Sequence, residues 1–203
     1  MAKRKDAADR IVDAALERAA AIGWAALSLT DIAAAADAPL ADLHGHFRSK
    51  AAILTAYGRR VDAAVLAEAA APDSADGARD RLFDVLMLRF EILSRDRAAV
   101  LAILADAPRE PGAVLCALPS LVCSMGWMLE AAGLSGGGWR GLLRAKALAA
   151  VWLASLDAWR RDESPDLAGT MAALDRNLRR AERLARLFDR DRPARQGPAP
   201  AAG

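Results

Sequence analysis

Residues 28–54, SLTDIAAAADAPLADLHGHFRSKAAIL, pack three helix-start signals and one break into a single short stretch. Only closely spaced short helices accommodate that order. Ser28 precedes Asp31 by three residues, a capping-box pair that satisfies free amide donors at a helix start. Leu29, Ile32, Ala33 and Ala36 then fall on one helical face. Asp37-Ala38 interrupts the run, and Asp tolerates the left-handed backbone better than most residues. Pro39 opens the next short helix, where its fixed φ and missing N–H cost little. Ser49 is placed to cap a third helix starting at Lys50. Two helices joined by a turn of about 3–4 residues have the geometry of a helix-turn-helix reader of duplex DNA.

The rest of the chain is expected to be helical too. Of 203 residues, 54% are hydrophobic and only 5% aromatic. Alanine and leucine supply the surplus and no β-branched alternating run occurs, so the expected class is all-α. A net charge of +2 is too mild to mark a nucleic-acid binder by itself. Cys116 and Cys123, seven apart on one helix, would stand ~10 Å apart along its axis, too far for a disulfide. They are expected as buried thiols in a reducing cytoplasm. The basic start, MAKRK, has no apolar run behind it and is not a secretory signal. Pro111–Leu129 is 19 residues without a charge, near the length of a membrane span. Pro119 in its middle argues instead for a Pro-interrupted helix buried at the centre of a bundle.

Breaks divide the chain into a helix-turn-helix domain at 1–54, a larger helical domain at 55–190 and a disordered tail at 191–203. A basic arm covers 1–8. The first helix runs from Asp9 to Ile22, with Ile11, Ala15, Ala19 and Ile22 inward, and Gly23 ends it. The fourth runs from Lys50 to about Ala70, long enough to leave the small domain, and residues 71–77 break the chain. Helices are then expected at Arg79–Ser94, Arg97–Ala107, Pro111–Ala132 and Trp139–Arg161, with Gly133–Gly138 a flexible joint. Ser164 and Pro165 restart the chain into a last helix, Asp166–Phe188.

The central stretch resembles the amino-terminal domain of the TetR-type regulators. Gly23-Trp24, Ser28, Asp31-Ile32-Ala33, Ala35-Ala36, Leu43, His46-Phe47, Ser49-Lys50 and Leu54 match that family's pattern in one register. The chain departs from it at three places: Asp37 stands for the turn glycine, Pro39 for the serine heading the recognition helix, and His44 for a tyrosine near its end. The resemblance implies a TetR-like all-α fold, homodimerisation through the last two long helices, a double-stranded DNA operator and a small-molecule effector. Thr30, Leu40, Ala41, His44, His46, Arg48 and Lys50 are the candidate DNA contacts on this unit; His46 also suits a capping or packing residue, and Lys50 a solvated one. Leu40, Ala41 and His44 are the base readers, and none makes the bidentate Arg–guanine or Asn–adenine contact. Asp42 adds a negative charge to the same helix.

A second, narrower resemblance begins at Arg81-Leu82. Trp127, Ala131-Ala132-Gly133, Trp139, Arg144-Ala145, Leu148-Ala149-Ala150-Val151, Trp159, Asp162, Ser164-Pro165-Asp166, Thr170 and Leu174-Asp175-Arg176 are similar to a TetR-like accessory protein of ubiquinone biosynthesis, which binds isoprenoid lipid. Either family implies an apolar effector or lipid in the larger domain. Met87, Phe90, Leu101, Leu115, Trp127, Met128, Trp152 and Trp159 are the candidate pocket residues, and each also suits an ordinary core. From Arg176 to Arg195 eight arginines face Glu182, Asp189 and Asp191. This basic amphipathic segment fits a bundle helix with a solvated outer face, and it also fits an anionic membrane surface. No enzyme, metal or cofactor is expected. His44 and His46, two apart on a helix, face different ways with no further ligands, and neither a nucleophile elbow nor a Gly-rich phosphate loop is present.

Overall fold

The computed structural model describes residues 6–71 and 75–190. The basic start, residues 72–74 of the expected break, and the Pro-, Ala- and Gly-rich tail lie outside the described residues, as do the side chains of Leu187 and Phe188. Among the described residues there are nine α-helices, one 3-10 turn and no strand. The helices are α1 (Ala7–Ile22), α2 (Leu29–Ala35), α3 (Leu40–His46), α4 (Lys50–Glu68), α5 (Ala78–Ser94), α6 (Arg97–Asp106), α7 (Pro111–Ala131), α8 (Gly138–Arg161) and α9 (Ala168–Arg190). The 3-10 turn, Ala107–Arg109, joins α6 to α7.

The amino-terminal unit is built from the signals in residues 28–54. Ser28 Oγ accepts from the Asp31 N–H at 3.1 Å, and Asp31 Oδ2 accepts from the Ser28 N–H at 2.9 Å. This closes a full capping box. The serine hydroxyl and backbone hold the Asp31 carboxyl below its ordinary value. Asp37 takes φ of 48°, the left-handed turn for which the resembling family uses glycine. Pro39 is the N-cap of α3, and Ser49 Oγ accepts from the Ala52 N–H at 3.2 Å at the head of α4. Ile11, Ala15, Ala19, Trp24, Ile32, Leu43 and Phe47 are buried together. Ile22, expected inward, is 44% exposed, because it sits in the last turn where the chain leaves the core at Gly23.

Around α4 the larger half is assembled. Helix α4 packs on α1, α5 and α7, and α8 pairs with both α7 and α9. Phe90 stacks on Trp152 at 4.2 Å and on Trp159 at 6.3 Å between ring centroids. Trp159 donates its Nε1–H to Ser94 Oγ at 3.0 Å. Arg97 lies 4.5 Å over the Trp159 ring and donates to the carbonyls of Trp159 and Asp162 at 2.9 and 2.6 Å. One continuous core runs from Ile11 to Leu178, so the two halves share an interior.

Three expectations need correction. First, α7 runs unbroken through Pro119. The carbonyl that loses the proline's N–H belongs to Leu115, which is 66% exposed, so the loss falls at the surface and costs little. Second, α7 is not a buried central helix. Its Val114–Ala131 window is long and apolar enough to cross a membrane by length and composition, yet only 22% of it is buried. Cys116 and Cys123 are accordingly exposed. Third, the last helix starts at Ala168 rather than Asp166, after a turn in which Leu167 takes φ of 55°. Pro165 lies in that turn, and Ser164 Oγ still accepts from the Ala168 N–H at 3.0 Å.

Asp162 organises this restart. It accepts from Ser164 Oγ, the Ser164 N–H at 3.1 Å, and the N–H and hydroxyl of Thr170 at 2.6 and 2.7 Å. Burial pushes its carboxyl up, but these donors outweigh burial and hold it at about 2, against an ordinary 3.8. A depressed native value means stability that is present above pH 3.8 and is lost as pH falls through about 2. Asp162→Ala is therefore expected to melt below wild type at neutral pH. The gap should close between pH 4 and 2 in a pH series of thermal melts; a gap constant down to pH 2 would remove Asp162 from that role.

The Gly133–Gly138 joint is a packed corner rather than a free hinge. Gly133 and Gly138 take φ of 69° and 66°, and the Gly136 N–H donates to Glu130 Oε1 at 2.7 Å. A Cβ on Gly141 would lie 2.0 Å from the Gly136 carbonyl oxygen, a backbone atom. Gly141→Ala is expected to cost about 1–3 kcal/mol by overpacking, readable as a fall in the urea midpoint.

Candidate nucleic-acid interface and an apolar cavity

Helix α3 is held by its inner face alone. Leu43 and the following Phe47 are buried, whereas Leu40, Ala41, Asp42, His44 and His46 are exposed. Leu40, half exposed at the head of the helix, stands where a recognition helix meets base edges. Thr30 in the first turn of α2 and Arg48 after α3 are exposed too. Six of the seven residues expected at DNA thus face solvent on the same unit. The seventh, Lys50, is turned inward. Its Nζ donates to the Trp24 carbonyl at 2.7 Å, lies 4.9 Å over the Trp24 ring and stands 3.8 Å from Glu110 Oε1. Chemically the face offers apolar contact to a thymine methyl from Leu40 and Ala41 and imidazole hydrogen bonds from two histidines. Asp42, on the same helix, is exposed as well and brings a negative charge to this unit.

Behind this unit lies a cavity of about 360 Å³ between α4, α6, α7 and α8. Its walls are mainly apolar, with Leu54, Ile103, Leu104, Leu118, Leu121 and Leu153 prominent. Space arises because α4 presents Ala51, Thr55 and Gly58 to it, and a Cβ on Gly58 would meet nothing within 4 Å. One end is polar and buried. There Asp62 Oδ1 takes a hydrogen bond from Arg89 Nη1 and another from Ser124 Oγ at 2.8 Å. Arg89 lies 4.9 Å over the Trp152 ring.

None of the eight residues expected to line a pocket lines this cavity. Met87, Phe90, Met128, Trp152 and Trp159 are buried in the core, Leu101 packs against it, and Leu115 and Trp127 lie on the outside of α7. Large apolar side chains fill space, so they mark core. The cavity follows small residues on α4 and charges inside apolar runs, Asp62 and Arg89, and those two features were the readable signal.

The far end of the cavity touches the helix-turn-helix unit. Trp24, Asp106 and Glu110 all line it. Asp106 Oδ2 accepts from the Ala25 N–H at 2.8 Å across the chain. That backbone donor, with help from Arg109 and against burial, holds the Asp106 carboxyl below its ordinary value. Gly23, with φ of 84°, lets the chain pass so close that a Cβ there would lie 3.3 Å from Asp106 Oδ2. Arg60 of α4 ties the same region together, 2.5 Å from Asp13 of α1 and 4.0 Å from Asp96 before α6. At the other end of the chain, α9 turns Ala173, Leu174 and Leu178 into the bundle. Arg176, Arg179, Arg180 and Arg183 of α9 gather with Glu182 and with Arg79 of α5 around a shallow surface recess.

Residues 11–57 match the family described as bacterial regulatory proteins, tetR family. Among solved structures, a TetR transcriptional regulator from Nitrosomonas europaea ATCC 19718 is 28% identical, with a TM-score of 0.67 over 86% of this chain and 97% of that one. A TetR transcriptional regulator from Rhodococcus sp. RHA1 is 19% identical, with a TM-score of 0.63 over 86% and 95%. A tetR-family regulator from Streptomyces coelicolor is 14% identical, with a TM-score of 0.56 over 91% and 86%. The last two bear on the fold alone. No curated protein matches the sequence. Residues 11–57 thus form a tetR-family helix-turn-helix domain, exposed on α3 and joined to a helical half whose architecture matches that of solved TetR transcriptional regulators.

Proposed function

We propose that the chain is a cytoplasmic, homodimeric regulator whose hold on its operator is released by an apolar small molecule entering the α4–α6–α7–α8 cavity. The observation that carries this is the shared wall: Trp24 and Asp106 line the cavity and also fix the start of the helix-turn-helix unit. A ligand that favours a displaced α6 pulls on Ala25 through Asp106, and so biases the angle of α3. Such a ligand shifts the equilibrium only by its differential affinity for the two positions. Dimerisation is assigned to α8 and α9. Trp139, Leu142, Leu143 and Leu153 are exposed on α8 and Leu184 on α9, an apolar surface of the kind that marks an interface. Leu153 belongs to both that surface and the cavity wall, so the second subunit closes on the cavity.

At the DNA, Thr30, His46 and Arg48 take phosphates, and Leu40, Ala41 and His44 meet bases. Lys50 acts from behind, by fixing Trp24. Duplex affinity is expected to fall steeply with salt. Arg48→Ala should lower the log–log slope by about 1, whereas His46→Ala and Lys50→Ala should weaken binding at every salt concentration. Equal slopes in wild type and Arg48→Ala would remove the Arg48 phosphate assignment. Gly58→Leu, which gains about 1 kcal/mol of helix propensity and fills the cavity, is expected to keep operator binding and lose its release by ligand. Mass spectrometry of small molecules freed on denaturation tests the cavity directly. A co-purified isoprenoid lipid together with weak, salt-insensitive DNA binding would replace this reading with lipid carriage.

A further inference from the structure

Resting on the cavity reading above, we infer that the ligand is uncharged and presents one hydroxyl or carbonyl oxygen at the end of an apolar body, seated on Arg89 and Ser124. Arg89 lines the cavity, is 6% exposed, and its Nε–H has no hydrogen-bond acceptor among the described residues. A buried donor left without a partner costs free energy that an incoming acceptor recovers. Its Nη1 is already committed to Asp62, and Asp62 also accepts the hydrogen bond that the Ser124 hydroxyl donates. The Ser124 oxygen therefore keeps lone pairs for a donor. An alcohol accepts from Arg89 Nε–H and donates to Ser124 Oγ, and a carbonyl makes the first bond alone.

Charge on the ligand is what this end rejects. Arg89 and Asp62 neutralise each other inside a low-dielectric wall. A carboxylate brought to Arg89 would face Asp62 as a like charge, and an ammonium would face Arg89. Away from this end the wall carries one further cation, Arg59, and two carboxylates, Asp106 held by Ala25 and Glu110 beside Lys50, so a charged head is drawn away from Arg89 and Ser124 rather than seated on them. At this buried end of the cavity, the polar need left unmet among the described residues is thus for a neutral acceptor.

Decanol, decanoate and decylamine share a body and differ in the head, so they are the probes. Binding to the full chain is read by tryptophan fluorescence, since Trp24 lines the cavity and Trp152 lies under Arg89. Decanol is expected to bind at least about ten-fold more tightly than either charged probe. That margin should shrink in Ser124→Ala, and again in Arg89→Lys, which keeps the charge and removes the Nε–H. If decanoate or decylamine matches decanol, or the margin survives both substitutions, the head-group inference is overturned and the cavity reading stands. If no probe binds, or decanol binding ignores Gly58→Leu, the cavity reading falls with it.

Discussion

Replacing Arg89 alone with methionine is expected to cost the fold about 3–5 kcal/mol, or roughly 6–20 °C in melting temperature for a chain of this size. The arginine and Asp62 side chains are 7% and 11% exposed, so the pair is nearly out of water. Methionine fills most of the volume, and its packing against Trp152 survives. What is lost is the counter-charge, leaving the Asp62 carboxylate buried with Ser124 as its remaining partner. The double substitution Asp62→Leu with Arg89→Met should recover most of that loss, because removing both charges also removes both desolvation penalties. Urea denaturation of the single and double variants, read as a double-mutant cycle, decides it. Additive losses would mean that the two side chains stabilise the fold independently, contrary to the geometry.

The second large effect concerns the exposed side of α8. Leu142→Glu with Leu143→Glu is expected to yield a monomer by light scattering and to lower operator affinity by about 10²–10⁴-fold, the range that linking two binding units supplies. Leu143 is 55% exposed and Leu142 48%, so neither substitution removes core packing and the monomer should keep its helical circular dichroism. Two recognition helices must reach successive major grooves about 34–36 Å apart, and a lone subunit offers one. A folded double variant that remains dimeric would move the interface away from this part of α8. The same variant also reports on the cavity: Leu153 lies farther along the exposed surface of α8, so loss of the partner should weaken ligand binding as well.

The amino-terminal unit was legible because its signals are local. Ser28 with Asp31, the left-handed Asp37, Pro39 and Ser49 each act within a few residues, and the structure shows every one at its expected place or one position away. Helix existence in the larger half was equally plain from apolar periodicity. Which face of α7 is buried was not. An uncharged helix looks the same whether it lies at a centre or along an edge, and α7 lies with Leu115 and Trp127 outward. Lys50 shows the same limit at one residue: an exposed-looking lysine at a helix start proves to be committed to the Trp24 carbonyl and Glu110.

By itself the sequence determined the helices and the helix-turn-helix with its turn between α2 and α3, since caps, turn residues and helical periodicity are written in neighbours along the chain. Tertiary structure alone decided where space is left open. The cavity exists because Ala51, Thr55 and Gly58 of α4 happen to face α6 and α7, and because Asp62, Arg89 and Ser124 arrive from three helices to one point. Packing between distant helices sets such a meeting, and no short-range pattern encodes it.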